Sequence, residues 1–239
     1  PLTSVLEWVE RADLKDKYLF AYKNSVIYFD SNITASLIII NFFFLMYISK
    51  KLDQRLCILK LIYIFFIIAT LSRAAWAASF IFYIAFILFY NKEKKFFLLI
   101  LCILIFTPFI YVTLKSNATD ASFITKFELV ESVFFHIQNS LSYQEVLFGV
   151  GIGNGQNYLG RAPHNLLLFM FFENGLILTI LYLIFNVILI YMTKLRAIWI
   201  FGPYFLAGMS AGAVAIPYYY AMIGIMILIE KKKEKINDY

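Results

Sequence analysis

Apolar residues in this chain come in long blocks rather than in alternation, and the blocks can be measured against the thickness of a bilayer. The first, at about 32–49, follows a mixed polar and aromatic segment at 1–31 and stops at Lys50-Lys51. The next, at about 56–90, would be roughly 50 Å long as one helix, against about 30 Å for a hydrocarbon core. Ser72-Arg73 at its middle divides it into two short spans. A block at about 96–114 leads into a polar stretch, 115–165, and the return block at about 166–192 ends at Lys194 and Arg196. The last, at about 197–229, contains Gly202, Pro203, Gly208, Gly212 and Pro217 and reads as a helical hairpin. The pattern predicts an all-α, polytopic membrane protein with about seven spans. An exposed or interfacial segment (1–31) on the non-cytoplasmic side precedes a four-span block (32–114). A long loop on the non-cytoplasmic side (115–165), a three-span block (166–230) and a basic cytoplasmic tail (231–239) follow.

Within the loop, Phe123, Phe127, Val130, Phe134, Ile137 and Leu141 recur at helical spacing, predicting one amphipathic helix over 122–146. Gly149-Val-Gly-Ile-Gly-Asn-Gly155 comes next. It does not fit a dinucleotide fingerprint, because the final glycine position is Asn154 or Gln156 and no βαβ unit surrounds it. It reads as a flexible turn that allows backbones to pack closely.

Composition agrees with this architecture: 62% of the 239 residues are hydrophobic and only 15% charged, where soluble domains carry about a quarter charged. Of the 21 Lys and Arg residues, more than half sit in four clusters, around Lys50, Lys92, Lys194 and Lys231. Each cluster abuts an apolar block. They are therefore read as cytoplasmic topology signals, not as a nucleic-acid surface. Cys57 and Cys102 lie inside apolar blocks as packing residues, and the loop acids Asp120, Glu128, Glu131 and Glu145 have no metal-ligand spacing, so neither metal nor cofactor is expected. With Pro1 at its start and no signal peptide, the chain reads as a segment of a longer protein that has earlier spans.

Four polar side chains remain at or inside the outer boundary: Arg73, Arg161, His164 and Glu173. Arg73, on a tight turn between apolar helices, calls for an anion or water. Pro163 suits a first helical position, which puts His164 and Asn165 in the first turn of the return span, among free N–H groups and at the positive dipole end. Three residues upstream, Arg161 adds a second positive charge, making a phosphate site. Both would keep His164 neutral and able to accept a proton. Glu173 is about 13.5 Å along a regular helix from His164 and half a turn around it, so the two do not form a catalytic pair. Glu173 has a basic group elsewhere in the bundle as one available partner, with Gly175 permitting close helix contact, and structural and functional roles both stay open for it. Lys60, near the cytoplasmic end of its span, is given a structural role.

In order and spacing, Leu71-Ser72-Arg73, the long loop, Leu147-Phe-Gly-Val-Gly151 and His164-Asn165 with Gly175 nine intervening residues later resemble the O-antigen ligase and polymerase (Wzy-type) superfamily. Asn32-Ile-Thr-Ala35 is similar to that family's Asn-x-x-Ala region, and the likeness runs from about 30 to 190. The sequence departs from the family at Leu178, where Gly, Thr or Tyr is usual, with Thr179 one later. Lys126 is the only basic candidate where a further loop arginine is expected. The resemblance implies a GT-C-like glycosyltransferase of the bacterial inner membrane, acting at its periplasmic face on a glycan carried by undecaprenyl diphosphate. It implies that His164 activates the acceptor hydroxyl and that Arg73 and Arg161 hold the diphosphate, with Asn165 and Lys126 as further substrate contacts. Expected partners are membrane lipid and other surface-polysaccharide assembly proteins. An O-antigen or capsular polysaccharide polymerase is the first reading, a ligase onto lipid A-core or protein the second. A lipid-linked oligosaccharide transporter is the third, disfavoured because polar residues gather at one face and no internal repeat is visible.

Overall fold

A computed structural model describes residues 31–90, 121–160, 165–210 and 217–237, apart from the side chains of 121–126 and 233–237. These residues are all-helical. In chain order the helices are α1 (Ser31–Lys51), α2 (Cys57–Ala69), α3 (Arg73–Tyr90), α4 (Ala121–Asn139), α5 (Tyr143–Phe148), α6 (Gly155–Leu159), α7 (Leu166–Met192), α8 (Ile198–Gly208) and α9 (Pro217–Asn237). Three of them, α1, α3 and α7, are long and apolar enough to cross a membrane; α2 and α8 are apolar but shorter. The expected span at 96–114 lies outside the described residues.

α1 sits at the centre of the bundle. Ala35, Ile39, Ile40, Phe42, Phe43, Met46 and Tyr47 are all buried, and α2, α3 and α8 pack around it. α3 and α8 run antiparallel: Phe86 meets Trp199 edge-on at 5.4 Å, and Gly202 lies against Phe82, where a Cβ would stand 2.1 Å from the ring. The apolar α7 is buried mainly in its first half, while Leu176, Ile180, Leu181, Ile184, Val187 and Ile188 are exposed, as suits a helix facing lipid.

At one end of the bundle, among the described residues, members of two basic clusters meet on one acid. Glu230, 3% exposed, accepts from Tyr47 Oη at 2.5 Å and pairs with Lys51 Nζ at 2.6 Å and with Arg196. This joins the close of α1, the turn before α8 and the second half of α9, so Lys51 and Arg196 are packed ion-pair partners. Lys60 donates to Ser49 Oγ at 2.6 Å near the same end, in keeping with its structural reading. The helix of α9 continues to Asn237, through the expected start of the tail at 231.

At the opposite end, α4, α5 and α6 form a small lobe. Its core is Leu129, Val133 and Leu159, closed by Phe172 of α7. The single helix expected over 122–146 is two, because α4 stops at Asn139 and Ser142 caps α5. Glu145 Oε2 accepts from Ser142 N at 2.8 Å, and Ser142 Oγ accepts from Glu145 N at 3.3 Å. This reciprocal capping box starts a new helix where helical spacing alone suggests continuation.

Candidate functional site

The α2–α3 turn is built by its own hydroxyls. Leu71 takes a left-handed φ of 51°, Ser72 N donates to Thr70 Oγ1, and Ser72 Oγ accepts from Ala75 N at 3.3 Å, capping α3. The same Ser72 hydroxyl donates to Asn32 Oδ1 at 2.6 Å, across 40 residues of sequence. Two motif positions far apart in the chain, Asn32 and Ser72, are thus joined directly, and Arg73 follows as the exposed first residue of α3. One helical turn further, Trp76 Nε1 donates to Ile67 O at 2.9 Å. Below it lies a cavity of about 200 Å³ between α2 and α3, lined by Phe42, Ile64, Ile67, Trp76, Phe80 and Ser79, whose buried hydroxyl has no hydrogen-bond partner among the described residues.

The head of α7 reaches the same end. Because α3 and α8 are antiparallel, the first turn of α3 lies toward Gly208, and Asn165 Nδ2 donates to Met209 O at 3.2 Å just beyond it. Gly208 admits Leu166, which is fully buried. The start of α7 differs from the sequence expectation. Asn165 is extended (φ −137°, ψ 126°) and is the N-cap, so the helix opens at Leu166 and not at Pro163. Asn165 Oδ1 accepts from Leu167 N at 3.0 Å and Leu168 N at 3.2 Å. An asparagine satisfies the orphan donors of a first turn better than solvent does. Two of the N–H groups assigned to a phosphate are therefore already taken, and the Asn165 side chain works as a cap.

Arg161 and His164 lie outside the described residues, as does the side chain of Lys126. Of the residues expected to form the site, the structure therefore locates Arg73 and Asn165, both at the lobe end of the bundle.

The sequence leaves the role of Glu173 open, with a basic group as one available partner, and its partners among the described residues are backbone amides of the glycine run. Gly153 N donates to Oε2 at 2.8 Å and Gly155 N to Oε1 at 3.3 Å, with the side chain 3% exposed. Two residues on, Gly175 (φ 79°, ψ 174°) breaks α7. The break releases carbonyls that a continuous helix would use, and the loop takes them: Val150 N donates to Phe172 O and Gly151 N to Glu173 O, both at 3.0 Å. The contact requires glycine on both sides. A Cβ at Gly149 (φ 83°) would stand 2.2 Å from Glu173 O, and one at Gly175 would stand 2.3 Å from Leu147 O. The run is a closely packed turn, as expected, but a tied one rather than a flexible one.

His136, which the sequence reading passed over, stands beside Tyr158 and Phe172 with ring centroids at 6.2 and 6.3 Å, and its buried Nδ1 has no hydrogen-bond partner among the described residues. Nothing in its local sequence marks it, since it falls on the flank of an amphipathic helix. Tyr158 Oη donates to Glu145 Oε1 at 3.1 Å, linking α6 to α5. Among the described residues no three His, Cys, Asp or Glu side chains gather as metal ligands.

No family model, no curated protein and no solved structure matches this chain.

Proposed function

We propose that this chain is a membrane glycosyltransferase that polymerises lipid-diphosphate-linked repeat units of an O-antigen or capsule, acting at the periplasmic face of the bacterial inner membrane. The observation that carries the reading is that the Asn32–Ser72–Arg73 turn and the Asn165 head of α7 stand at the same end of the bundle, the first closed by Ser72–Asn32 and the second tied to Met209 O just beyond α8. The motifs by which the chain resembles the Wzy-type superfamily are distant in sequence, and the described parts of them, Asn32, Ser72, Arg73 and Asn165, are at one end of the bundle.

The chemistry runs as follows. His164 accepts the proton of an acceptor sugar hydroxyl as that oxygen attacks the anomeric carbon of the donor. The bond from that carbon to the diphosphate oxygen breaks, and negative charge develops on the leaving diphosphate. Arg73 and Arg161, with planar guanidinium forks, stabilise that charge. The apolar cavity below Trp76, one turn from Arg73, suits the hydrocarbon of the lipid carrier. Lys126 supplies a further positive charge without a fork.

Replacing His164 by Ala in the producing cells tests this. The protein level stays as in wild type, the long polysaccharide ladder disappears and single repeat units remain. A persisting ladder removes His164 as the base, and full-length polymer accumulating on the carrier identifies the chain as a ligase instead.

A further inference from the structure

At the basic end of the bundle, α1 turns into α2 through a short polar loop that the reaction above does not use. The loop is fixed from within. Gln54 N donates to Ser49 O at 3.0 Å, the Ser49 hydroxyl donates to Gln54 O, and Lys60 Nζ donates to the same Ser49 oxygen at 2.6 Å. Asp53 and Leu56 take left-handed φ values of 53° and 39°, which turn the chain back on itself. Inside the turn is a cavity of about 190 Å³, with Lys50, Asp53, Arg55 and Lys60 around it and Met46 of α1 and Phe86 of α3 as its apolar side. Three cations stand there against one carboxylate, an excess of two positive charges. At the same end Lys51 and Arg196 are matched by Glu230, but Lys50 and Arg55 have no ion-pair partner among the described residues.

The charged cavity leads into an apolar groove. On α2 Lys60 is followed one turn on by Ile64, and on α3 Phe86 is preceded one turn back by Tyr83. Ile64 and Tyr83 line the apolar cavity between those helices. A charged rim above a hydrocarbon-lined groove matches an amphiphile better than a free ion. We propose that the Lys50–Arg55–Lys60 pocket binds the headgroup phosphate of an anionic phospholipid from the leaflet at this end. An acyl chain then lies over Met46 and Phe86 toward Ile64 and Tyr83. Arg55 offers the phosphate a planar fork, and the two lysines add point charges. Each basic residue near a membrane surface strengthens anionic-lipid binding by about fivefold. The inference does not depend on the glycosyltransferase reading, whose charged groups lie at the opposite end.

The test titrates the full chain, purified in a neutral maltoside detergent, with phosphatidylglycerol and with phosphatidylcholine of the same acyl chains. Bound lipid is counted by native mass spectrometry. Phosphatidylglycerol should bind about tenfold more tightly than phosphatidylcholine. Lys50→Gln and Arg55→Gln, both at exposed positions, should each weaken it about fivefold, and together about 25-fold. Asp53→Asn should tighten it by a similar factor, a gain that a folding defect cannot imitate, and asparagine tolerates the left-handed φ there. Lys231→Gln with Lys232→Gln removes equal charge at the same end but outside the cavity, and should leave binding within about twofold. Equal affinity for the two lipids overturns the proposal. So does an equal loss in the Lys231 and Lys232 double variant, which reduces the effect to general attraction by a basic end. Glycerol 3-phosphate without lipid is the free-phosphate arm. If it binds as tightly as phosphatidylglycerol and Arg55→Gln weakens both equally, the site takes a soluble phosphate and the lipid assignment fails.

Discussion

The glycines of the loop are unequal, and the difference can be measured. Gly149 and Gly160 both have positive φ, 83° and 68°, yet a Cβ at Gly149 would collide with the Glu173 carbonyl, while one at Gly160 meets no atom of the described residues within 4 Å. Gly160→Ala should therefore cost only the left-handed backbone penalty, about 1–2 kcal/mol. Gly149→Ala adds a backbone clash that flexible side chains cannot relieve, and should lower the thermal midpoint well beyond that and free the lobe for proteolysis. Equal midpoints for the two variants would contradict the tied turn. The sequence makes the close approach legible through the density of glycine, but not its partner. Gly153 and Glu173 are 20 residues apart, and their bond exists only because α7 breaks at Gly175 and the loop folds back onto the break. On a regular helix Glu173 points half a turn from His164, which is why it reads as idle from sequence alone.

At the scale of elements, the apolar blocks mark α1, α7 and the α2–α3 division at Ser72 within a few residues, because length against bilayer thickness is a strong constraint. The lobe was less legible: apolar residues continue at helical spacing across Ser140–Ser142, and only the Ser142-Tyr-Gln-Glu145 box signals a restart. That box has a pH signature. Ser142 N first, then the Ser142 hydroxyl and Tyr158 Oη, hold the Glu145 carboxyl below the usual carboxylate range. A carboxyl depressed in the folded state contributes its stability above the unfolded value, near pH 4, and loses it as pH falls through the lower folded value. Glutamine keeps the box geometry without titrating. Pepsin cleavage between α4 and α6 in wild type, taken relative to Glu145→Gln, should therefore rise as pH falls below about 4. A ratio that does not change with pH would show that the carboxylate contributes nothing to the cap.

For the whole molecule, the bundle is tied at both ends, by Ser72–Asn32 at the lobe end and by Glu230 at the basic end. Glu230 was hidden in the sequence by the lysines that follow it; treating the basic clusters as topology signals sets aside the one acid that joins them. Its variants should rank unequally. Glu230→Gln leaves Lys51 and Arg196 facing each other and costs about 3 kcal/mol. Lys51→Met or Arg196→Met alone leaves the carboxylate one cation and costs less, read as the temperature at which the gel-filtration peak is lost. A Lys51→Met variant as unstable as Glu230→Gln would show that the carboxylate is not shared. The lobe carries a consequence of another kind. Its core is completed by Phe172, and its last turn is fastened to Glu173, both of which leave the ribosome after α4, α5 and α6. Those three helices cannot close on one another until α7 has been synthesised and set in place. The loop is therefore finished late in biogenesis, and its fold itself certifies that the following span has arrived.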